Sequence, residues 1–169
     1  RDGGFSTMHV RRGEFQYKRV KVDAPRIAAA VAGVFRPGEV VYVATDEKNG
    51  SFFEPLRLSR ARSGSRLVFM RDVYAAARLG EVEGNWLGMV DQIVASHGRR
   101  FFGTWFSTFT GYIVRMRGYL GHADNATYYY APPEKRLAMH AWAQPHFPYY
   151  MREWPTASHR LDAAPGAVG

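Results

Sequence analysis

The chain contains no cysteine among its 169 residues. This absence excludes disulfide bonds, thiolate metal sites and cysteine nucleophiles. No apolar run approaches the roughly 20 residues that a membrane-spanning helix needs, so no membrane span is predicted. Because 46% of the residues are hydrophobic and 22% are charged, the composition predicts a globular domain with a substantial core.

Familiar phosphate-binding motifs are also missing. The sequence has neither G-x-G-x-x-G nor G-x-x-x-x-G-K-[ST], which argues against a dinucleotide fingerprint and a P-loop. It has no D-x-D pair to hold a divalent metal on a nucleotide sugar, and His140, His146 and His159 are irregularly spaced. We therefore expect no metal, and any bound diphosphate would be neutralised by arginine and backbone dipoles.

The charge balance is basic, with 23 Lys and Arg against 15 Asp and Glu, a net charge of +8. Such a balance favours anionic partners. The arginines are dispersed over loops and strand ends instead of forming one run. Since no helix-turn-helix, zinc finger or RNA-binding aromatic signature is present either, a nucleic-acid partner is not predicted.

The apolar pattern alternates between strand and helix four times. This alternation is typical of βαβ units and predicts an α/β fold, a doubly wound parallel sheet in one Rossmann-like domain. The predicted strands are 5–11, Glu39–Thr45, Arg66–Met70 and Arg100–Phe102. The predicted helices are Ala24–Phe35, Ser51–Ala61 with Ser51 as its cap, Asn85–His97, and a last helix from Ser107 or Thr108 to about Tyr119. One face of the third helix is predicted to carry Leu87, Val90, Ile93 and Val94.

The pattern changes near residue 121. Residues 1–121 form the predicted Rossmann-like domain. Residues 122–169 are aromatic and proline-rich with little periodicity. We expect them to form an irregular or helical C-terminal tail that packs on a partner domain or subunit.

In open parallel sheets, ligands bind at the carboxyl edge of the strands. The candidate site residues follow strand ends there, where arginine is suited to grip a diphosphate and a helix start is suited to bind an anion. Each also has a structural explanation, since strand-end arginines are often solvated and Ser or Thr is the usual helix cap. The candidates at this edge are His9, Arg11, Arg12, Asp46, Ser107, Thr108 and Phe109.

Asp91 is a further candidate. It lies within a mostly apolar helix, next to Val90. A carboxylate near an apolar face needs a partner, although a surface position would also explain it.

Three segments taken together resemble the GDP-fucose protein O-fucosyltransferase family. The run His9–Glu14, HVRRGE, is similar to the family's first motif, a histidine and an arginine at a strand end. Residues 41–53, VYVATDEKNGSFF, resemble its strand-two motif. Residues 86–119 resemble its acidic helix and the serine/threonine-phenylalanine motif that follows. The segments keep the family's order and cover about residues 4–120.

The resemblance implies a glycosyltransferase of two domains, a GT-B fold whose C-terminal Rossmann-like half binds GDP-fucose without a metal. It implies that Arg11 contacts the β-phosphate as the catalytic residue and that His9 orients the nucleotide. It further implies that Arg12 helps to bind the donor substrate and that Ser107, Thr108 and Phe109 donate hydrogen bonds to its phosphates. By the same resemblance, Asp46 and Asp91 hold the ribose, the guanine or the arginine.

The family's N-terminal domain, which faces the donor domain, is not among these residues. We therefore expect the chain to work with that domain or with another protein subunit, and to act on a protein or glycan acceptor. The resemblance also implies the lumen of the secretory pathway (ER or Golgi), which the sequons at 49–51 and 125–127 support. The alternative is a non-catalytic, interaction subunit of a larger complex, so whether the chain is an active enzyme stays open at this point.

Overall fold

A computed structural model of the chain describes residues 4–14, 21–104 and 107–122, together with the backbone of residues 127–130. Short 3₁₀ turns at Gly50–Phe53, Leu79–Glu81 and Gly84–Trp86 join some of the longer elements. The strands are β1 (Ser6–Val10), β2 (Val40–Thr45), β3 (Arg66–Phe69), β4 (Phe101–Thr104) and β5 (Thr127–Tyr130), and the helices are α1 (Ala24–Ala30), α2 (Glu54–Ala61), α3 (Met70–Val73), α4 (Leu87–Ser96) and α5 (Thr108–Tyr119).

The strands form one parallel sheet in the order β3-β2-β1-β4-β5. This arrangement confirms the predicted α/β, Rossmann-like fold. The chain builds outward from β1 to β3 and then returns to place β4 on the other side of β1. The strand order therefore reverses between β1 and β4, which is the position where such sheets bind ligands.

The segment predicted to be irregular, from residue 122 onward, contributes β5 at Thr127–Tyr130. Residues 123–126 and 131–169 of this segment lie outside the described residues. The sheet thus extends one strand beyond the four that the apolar pattern predicts.

Helices α1 and α2 cover one face of the sheet. Alternate residues of a strand point to the same face, and the buried hydrophobic residues of β1 and β2 on this face are Met8, Val10, Val41 and Val43. Their burial is the main stabilising contribution on this side of the sheet. The same cluster includes Ile27, Val31, Phe53, Leu56, Leu67, Phe69 and Phe102.

Helices α4 and α5 cover the opposite face. The Thr7 hydroxyl donates to the carbonyl of Ala95 at 2.7 Å and so ties β1 to α4. A Cβ atom on Gly98 would come closer than 3.0 Å to Thr7, so α4 and β1 approach each other this closely only because residue 98 is glycine. The apolar cluster on this face consists of Ala95, Phe101, Ile113 and Val114.

Helix α5 is held in place by contacts near its start and near its end. Near its start, a Cβ atom on Gly103 of β4 would come closer than 3.0 Å to the methyl group of Thr110. Near its end, the buried Arg117 donates to the carbonyl groups of Ser96 (3.2 Å) and Gly98. These carbonyls lie at the end of α4, so Arg117 satisfies acceptors that the helix itself leaves open.

Two helix boundaries differ from the predictions by more than two residues. Helix α1 ends at Ala30 instead of Phe35, and its continuation tightens into turns in which the N–H of Val34 donates to Val31. The predicted cap at Ser51 is wrong, because the Asn49 side chain is the acceptor and takes hydrogen bonds from the Ser51 N–H and hydroxyl at 3.1 and 2.7 Å. That cap begins a 3₁₀ turn, and α2 starts afterwards at Glu54.

The predicted apolar face of α4 is correct except at one residue. Leu87, Val90 and Val94 are half-buried, but Ile93 is 51% exposed and Ala95 is buried in its place. At 100° per residue, position 93 lies outside the arc that the other residues share, and position 91 lies within it. The helical phase therefore turns Asp91 towards the sheet.

An ion pair joins three strands at the amino edge, opposite the candidate site. The buried carboxylate of Glu39 accepts from the Arg99 guanidinium at 2.9 and 2.8 Å, from the Ser6 hydroxyl at 2.8 Å and from the Arg36 N–H at 2.9 Å. Burial alone would raise the pKa of Glu39, but the hydrogen bonds from Arg99, Ser6 and Arg36 outweigh it and lower that pKa.

Candidate functional site

A cleft opens between β1 and β4 at the carboxyl edge of the sheet. The ladder between these two strands ends where Met8 faces Phe102, whereas the ladder between β1 and β2 continues to Val10 and Thr45. Strands β1 and β4 therefore separate before they end. The cleft is lined by His9, Val10, Arg11, Val22, Ile27, Phe102 and Thr104.

Side-chain hydroxyl groups continue the pairing beyond the ladders. The Thr104 hydroxyl accepts the N–H of Arg11 at 3.0 Å and donates to the carbonyl of His9 at 2.9 Å. From the other side of β1, the Thr45 hydroxyl donates to the carbonyl of Val10 at 2.7 Å. These hydrogen bonds fix the backbone of β1 at the point where the chain leaves the sheet.

Asp46, directly after β2, holds the next part of the same turn. Its two carboxylate oxygens accept the N–H groups of Arg12 (2.6 Å) and Gly13 (2.9 Å). The N–H groups of residues 11 to 13 are therefore all bonded to side chains. This turn differs from a glycine-rich loop, in which backbone N–H groups point at the phosphate, so anion binding here depends on the arginine side chains.

The Arg11 side chain lies at the rim of the cleft. Its Nη1 atom is 2.5 Å from Asp46 Oδ2, its Nη2 donates to the carbonyl of Glu14, and 33% of the side chain is exposed. A guanidinium has five N–H donors, so a group held by a carboxylate can still present donors to an anion. Of the three roles that the sequence leaves open for Asp46, holding the arginine is the one for which the structure shows a contact.

Arg12 is held more tightly by its surroundings. Its guanidinium lies over the Phe52 ring at 4.4 Å, its Nη1 donates to the carbonyl of Val22 at 3.2 Å, and its Nε lies 3.4 Å from Glu47 Oε2. Most of these contacts fix the side chain against the mouth of the cleft. Arg12 therefore adds positive charge near Arg11 from a fixed position.

His9 is buried under the start of α5. Its Nδ1 atom is hydrogen-bonded to the Thr110 hydroxyl at 2.7 Å, and its ring stacks on Phe109 with centroids 4.5 Å apart. The pKa of His9 is lowered to about 3, mainly because the ring is buried; the negative charge of Asp46 opposes this shift and the positive charge of Arg11 adds to it. His9 is therefore neutral at physiological pH, which suits an orienting role and not that of a cationic phosphate ligand.

The start of α5 faces the same edge of the sheet. Ser107 is the N-cap residue and is buried, Thr108 is exposed and Phe109 is half-buried. The first backbone hydrogen bond of the helix runs from the Gly111 N–H to the carbonyl of Ser107 at 3.0 Å. The N–H groups of residues 108 to 110 therefore precede the helical ladder, where the positive end of the helix dipole favours an anion.

Asp91 lies apart from this group. Its carboxylate accepts a hydrogen bond from the Tyr42 hydroxyl, on the sheet face that α4 covers. Tyr42 pairs with Thr7, two residues before His9 along β1, so the Asp91 contact lies below the rim. Burial raises the pKa of Asp91 to about 6, although the hydrogen bond from Tyr42 lowers it. The structure shows no contact of Asp91 with the Arg11 group within the described residues.

The structure thus brings most of the predicted residues to one edge and separates one from them. Sequence reasoning missed the roles of Thr45, Thr104 and Phe52, which hold the two arginines, and the pairing of Tyr42 with Asp91. The available signal for the first two was that Thr45 ends a predicted strand and Thr104 follows another by two residues. Those brought together are His9, Arg11, Arg12, Asp46, Ser107, Thr108 and Phe109, with Thr110 beneath them.

Two features are absent from the part of the chain that the structure describes. No helix in that part of the chain is long and apolar enough to cross a bilayer. No three His, Asp or Glu side chains within the same ranges are grouped so that they could hold a metal ion.

No curated protein matches the chain. The sequence profile of the GDP-fucose protein O-fucosyltransferase family matches residues 3–120, which include β1 to β4 and all the site residues above. The match covers more than half of the chain and identifies a fucosyltransferase-like glycosyltransferase. The chain therefore belongs to the GDP-fucose protein O-fucosyltransferase family.

Proposed function

We propose that the cleft between β1 and β4 binds GDP-fucose without a metal and that the chain is the donor-binding half of a GT-B fucosyltransferase. The acceptor is a protein or glycan hydroxyl, and the acceptor side of the cleft is provided by an N-terminal domain or another subunit. The observation that carries this proposal is the Arg11 guanidinium at the switch point of the sheet, held by Asp46 on the edge that also bears the start of α5.

Two sources of positive charge support diphosphate binding at this edge. Arg11 and Arg12 carry full charges, and a guanidinium is suited to bidentate contact with phosphate oxygens. The first turn of α5 adds N–H donors and its dipole. We assign the β-phosphate to Arg11, and the phosphate oxygens on the other side to Ser107, Thr108 and Phe109.

The proposed reaction breaks the bond between the anomeric carbon of fucose and the β-phosphate oxygen, and the acceptor hydroxyl oxygen forms the new bond. The electron pair leaves with GDP, whose growing charge Arg11 stabilises. The hydroxyl proton passes to a base. His9 is a weak base at neutral pH because its pKa is about 3, so we assign it to orienting the nucleotide.

Calorimetric titration of GDP, GMP and GDP-fucose tests the donor site. We expect GDP and GDP-fucose to bind and GMP, which lacks the β-phosphate, to bind more weakly. Arg11→Ala should weaken GDP binding about tenfold to a hundredfold, because it removes charged hydrogen bonds to phosphate. Its melting temperature should change little, because Asp46 keeps its bonds to the backbone of Arg12 and Gly13.

Arg78→Ala is the matched control for this titration. Arg78 is 77% exposed and pairs only locally with Glu81, so its removal lowers the net charge equally without touching the cleft. If neither GDP nor GDP-fucose binds to the folded wild-type protein, the donor-site proposal is wrong. If Arg78→Ala weakens binding as much as Arg11→Ala, net charge and not the site accounts for the affinity.

A second candidate function is a non-catalytic interaction subunit. The observation that favours it is the outer surface of α4 and α5, where Trp86, Met89, Ile93 and Tyr112 are each about half exposed. Apolar side chains grouped on one surface are typical of protein contacts. GDP binding without fucose transfer or donor hydrolysis, in the presence of the complete complex, would favour this role.

A further inference from the structure

We infer that Thr45 and Thr104 are positioning residues for Arg11, because their hydroxyl groups hold the peptide unit between Val10 and Arg11 from its two sides. This inference rests on the proposed donor site. It assigns a role to two residues at the ends of the strands that flank β1.

The geometry involves one peptide plane. The carbonyl of Val10 and the N–H of Arg11 belong to the same peptide unit and point in opposite directions, as in any trans peptide. Thr45, the last residue of β2, donates to that carbonyl at 2.7 Å. Thr104, the last residue of β4, accepts from that N–H at 3.0 Å. The peptide unit is therefore bonded on both sides.

Backbone groups would normally make these bonds. Here β4 has already diverged from β1, since their ladder ends at Met8 and Phe102. A backbone-to-backbone bond across the cleft would close it. The Thr104 hydroxyl spans the gap, and it also donates to the carbonyl of His9 at 2.9 Å. The two threonines thus keep the backbone fixed while the cleft stays open.

The position of this peptide decides where the Arg11 side chain begins. Asp46 holds the guanidinium at 2.5 Å and the backbone one residue further on. With its Cα fixed by the two threonines and its guanidinium by Asp46, Arg11 keeps few conformations. An anion then binds a side chain that is already ordered, which reduces the entropic cost of binding.

The test compares Thr→Val and Thr→Ser variants at both positions, with GDP as the probe. Valine keeps the β-branched shape and removes the hydroxyl, whereas serine keeps the hydroxyl and removes the methyl. We expect Thr45→Val and Thr104→Val each to weaken GDP binding about three- to tenfold, because each loses the hydrogen bond that holds the peptide unit before Arg11. Thr45→Ser and Thr104→Ser should bind GDP within about twofold of the wild type.

Thr7→Val is the matched control. Thr7 lies on the same strand and its buried hydroxyl donates to Ala95, on the face covered by α4. Its loss should lower the melting temperature without changing GDP affinity. If all three valine variants bind GDP like the wild type, or if Thr7→Val weakens binding equally, the inference is overturned. If the wild type itself does not bind GDP, the proposed function fails instead.

A double-mutant cycle tests whether the threonines act through Arg11. Arg11→Lys keeps the positive charge but removes the forked set of N–H donors. In that background, the fold loss of GDP affinity caused by Thr104→Val should be less than half of the fold loss that it causes in the wild type. Equal effects in both backgrounds would overturn the assignment of Thr104 as a positioning residue for Arg11.

Discussion

At the scale of single residues, two buried titratable groups lie on the sheet face that α4 and α5 cover and shift in opposite directions. Burial lowers the pKa of His9 to about 3 and raises that of Asp91 to about 6. Each shift favours the neutral form of the group. At neutral pH His9 is uncharged, whereas Asp91 is still mostly ionised, and hydrogen bonds with Thr110 and Tyr42 satisfy the two groups.

These shifts predict opposing pH dependences of stability. The unfolded state binds a proton on His9 below about pH 6.5 while the folded state does not, so His9 lowers stability as the pH falls from 6.5 towards 3. Asp91 does the reverse, because the folded state binds its proton at about pH 6 and the unfolded state only near pH 4. Between pH 6 and 4 the two contributions offset each other.

Urea unfolding from pH 7 to pH 4 measures both contributions. Relative to the wild type, His9→Gln should gain stability as the pH falls, by up to about 1.4 kcal/mol per pH unit. Asp91→Asn should lose stability relative to the wild type over the window from pH 6 to about 4. Curves that stay parallel to the wild type would show that neither group titrates as described.

Residue roles were only partly predictable from the sequence. The motif around His9 and Arg11 identifies both as site candidates, but it does not show that His9 is neutral or that Asp46 contacts Arg11. Those properties depend on the register of β1 against β2 and on the stacking of Phe109. Asp91 was predicted to need a partner, yet Tyr42 lies 49 positions away in sequence, so no local pattern could identify it.

At the scale of elements, the carboxyl and amino edges of the sheet are organised differently. At the carboxyl edge, individual hydrogen bonds hold the backbone around a cleft. At the amino edge, Glu39 joins the starts of β1, β2 and β4 through Ser6 and Arg99. We therefore expect the amino edge to contribute to stability and to leave ligand affinity unchanged.

Replacement of Glu39 tests this division. Glu39→Gln should lower the free energy of unfolding by about 2–4 kcal/mol, because it leaves Arg99 without its carboxylate in a largely buried position. Chemical denaturation measures the loss, and GDP affinity of the folded variant should be unchanged. Glu81→Gln is the control, since the exposed pair of Arg78 and Glu81 should contribute less than about 1 kcal/mol. Equal losses in the two variants would contradict the role of Glu39.

The elements themselves were largely predictable, and their boundaries less so. Continuous apolar runs such as Val40–Thr45 identify strands buried on both faces. The end of α1 was misplaced because Val31 and Phe35 are buried in the core whether or not the segment is helical. The cap at Asn49 was missed because Asn49 and Ser51 are both good cap residues two positions apart.

At the scale of the whole molecule, the α/β class follows from the alternation of strands and helices, but the order of the strands does not. Five parallel strands can be arranged in several ways, and the reversal between β1 and β4 is what creates a cleft beside Arg11. Strand β5 was not predicted at all, since its three tyrosines at 128–130 resemble the aromatic segment that follows them. The site therefore depends on topology that local patterns do not encode.

The close approach of α5 to β4 at Gly103 decides where the first turn of α5 lies relative to a bound ligand. One absent methyl group sets the distance between the sheet and the helix start that the diphosphate is proposed to contact. Gly103→Ala would push Thr110 and the first turn of α5 outward. A displacement of about 1 Å can cost a hundredfold in function when it moves ligand-binding groups.

Gly98→Ala provides the comparison, because its Cβ would press equally closely on Thr7 at the far edge of the sheet. Both variants should lose thermal stability, but only Gly103→Ala should lose GDP affinity as well. Equal GDP affinity in the two would show that the helix start is not part of the site. In the proposed donor site, the distance from the first turn of α5 to the diphosphate is thus set by a spacing within the protein core, so a change in core packing at Gly103 would act as a change in nucleotide affinity.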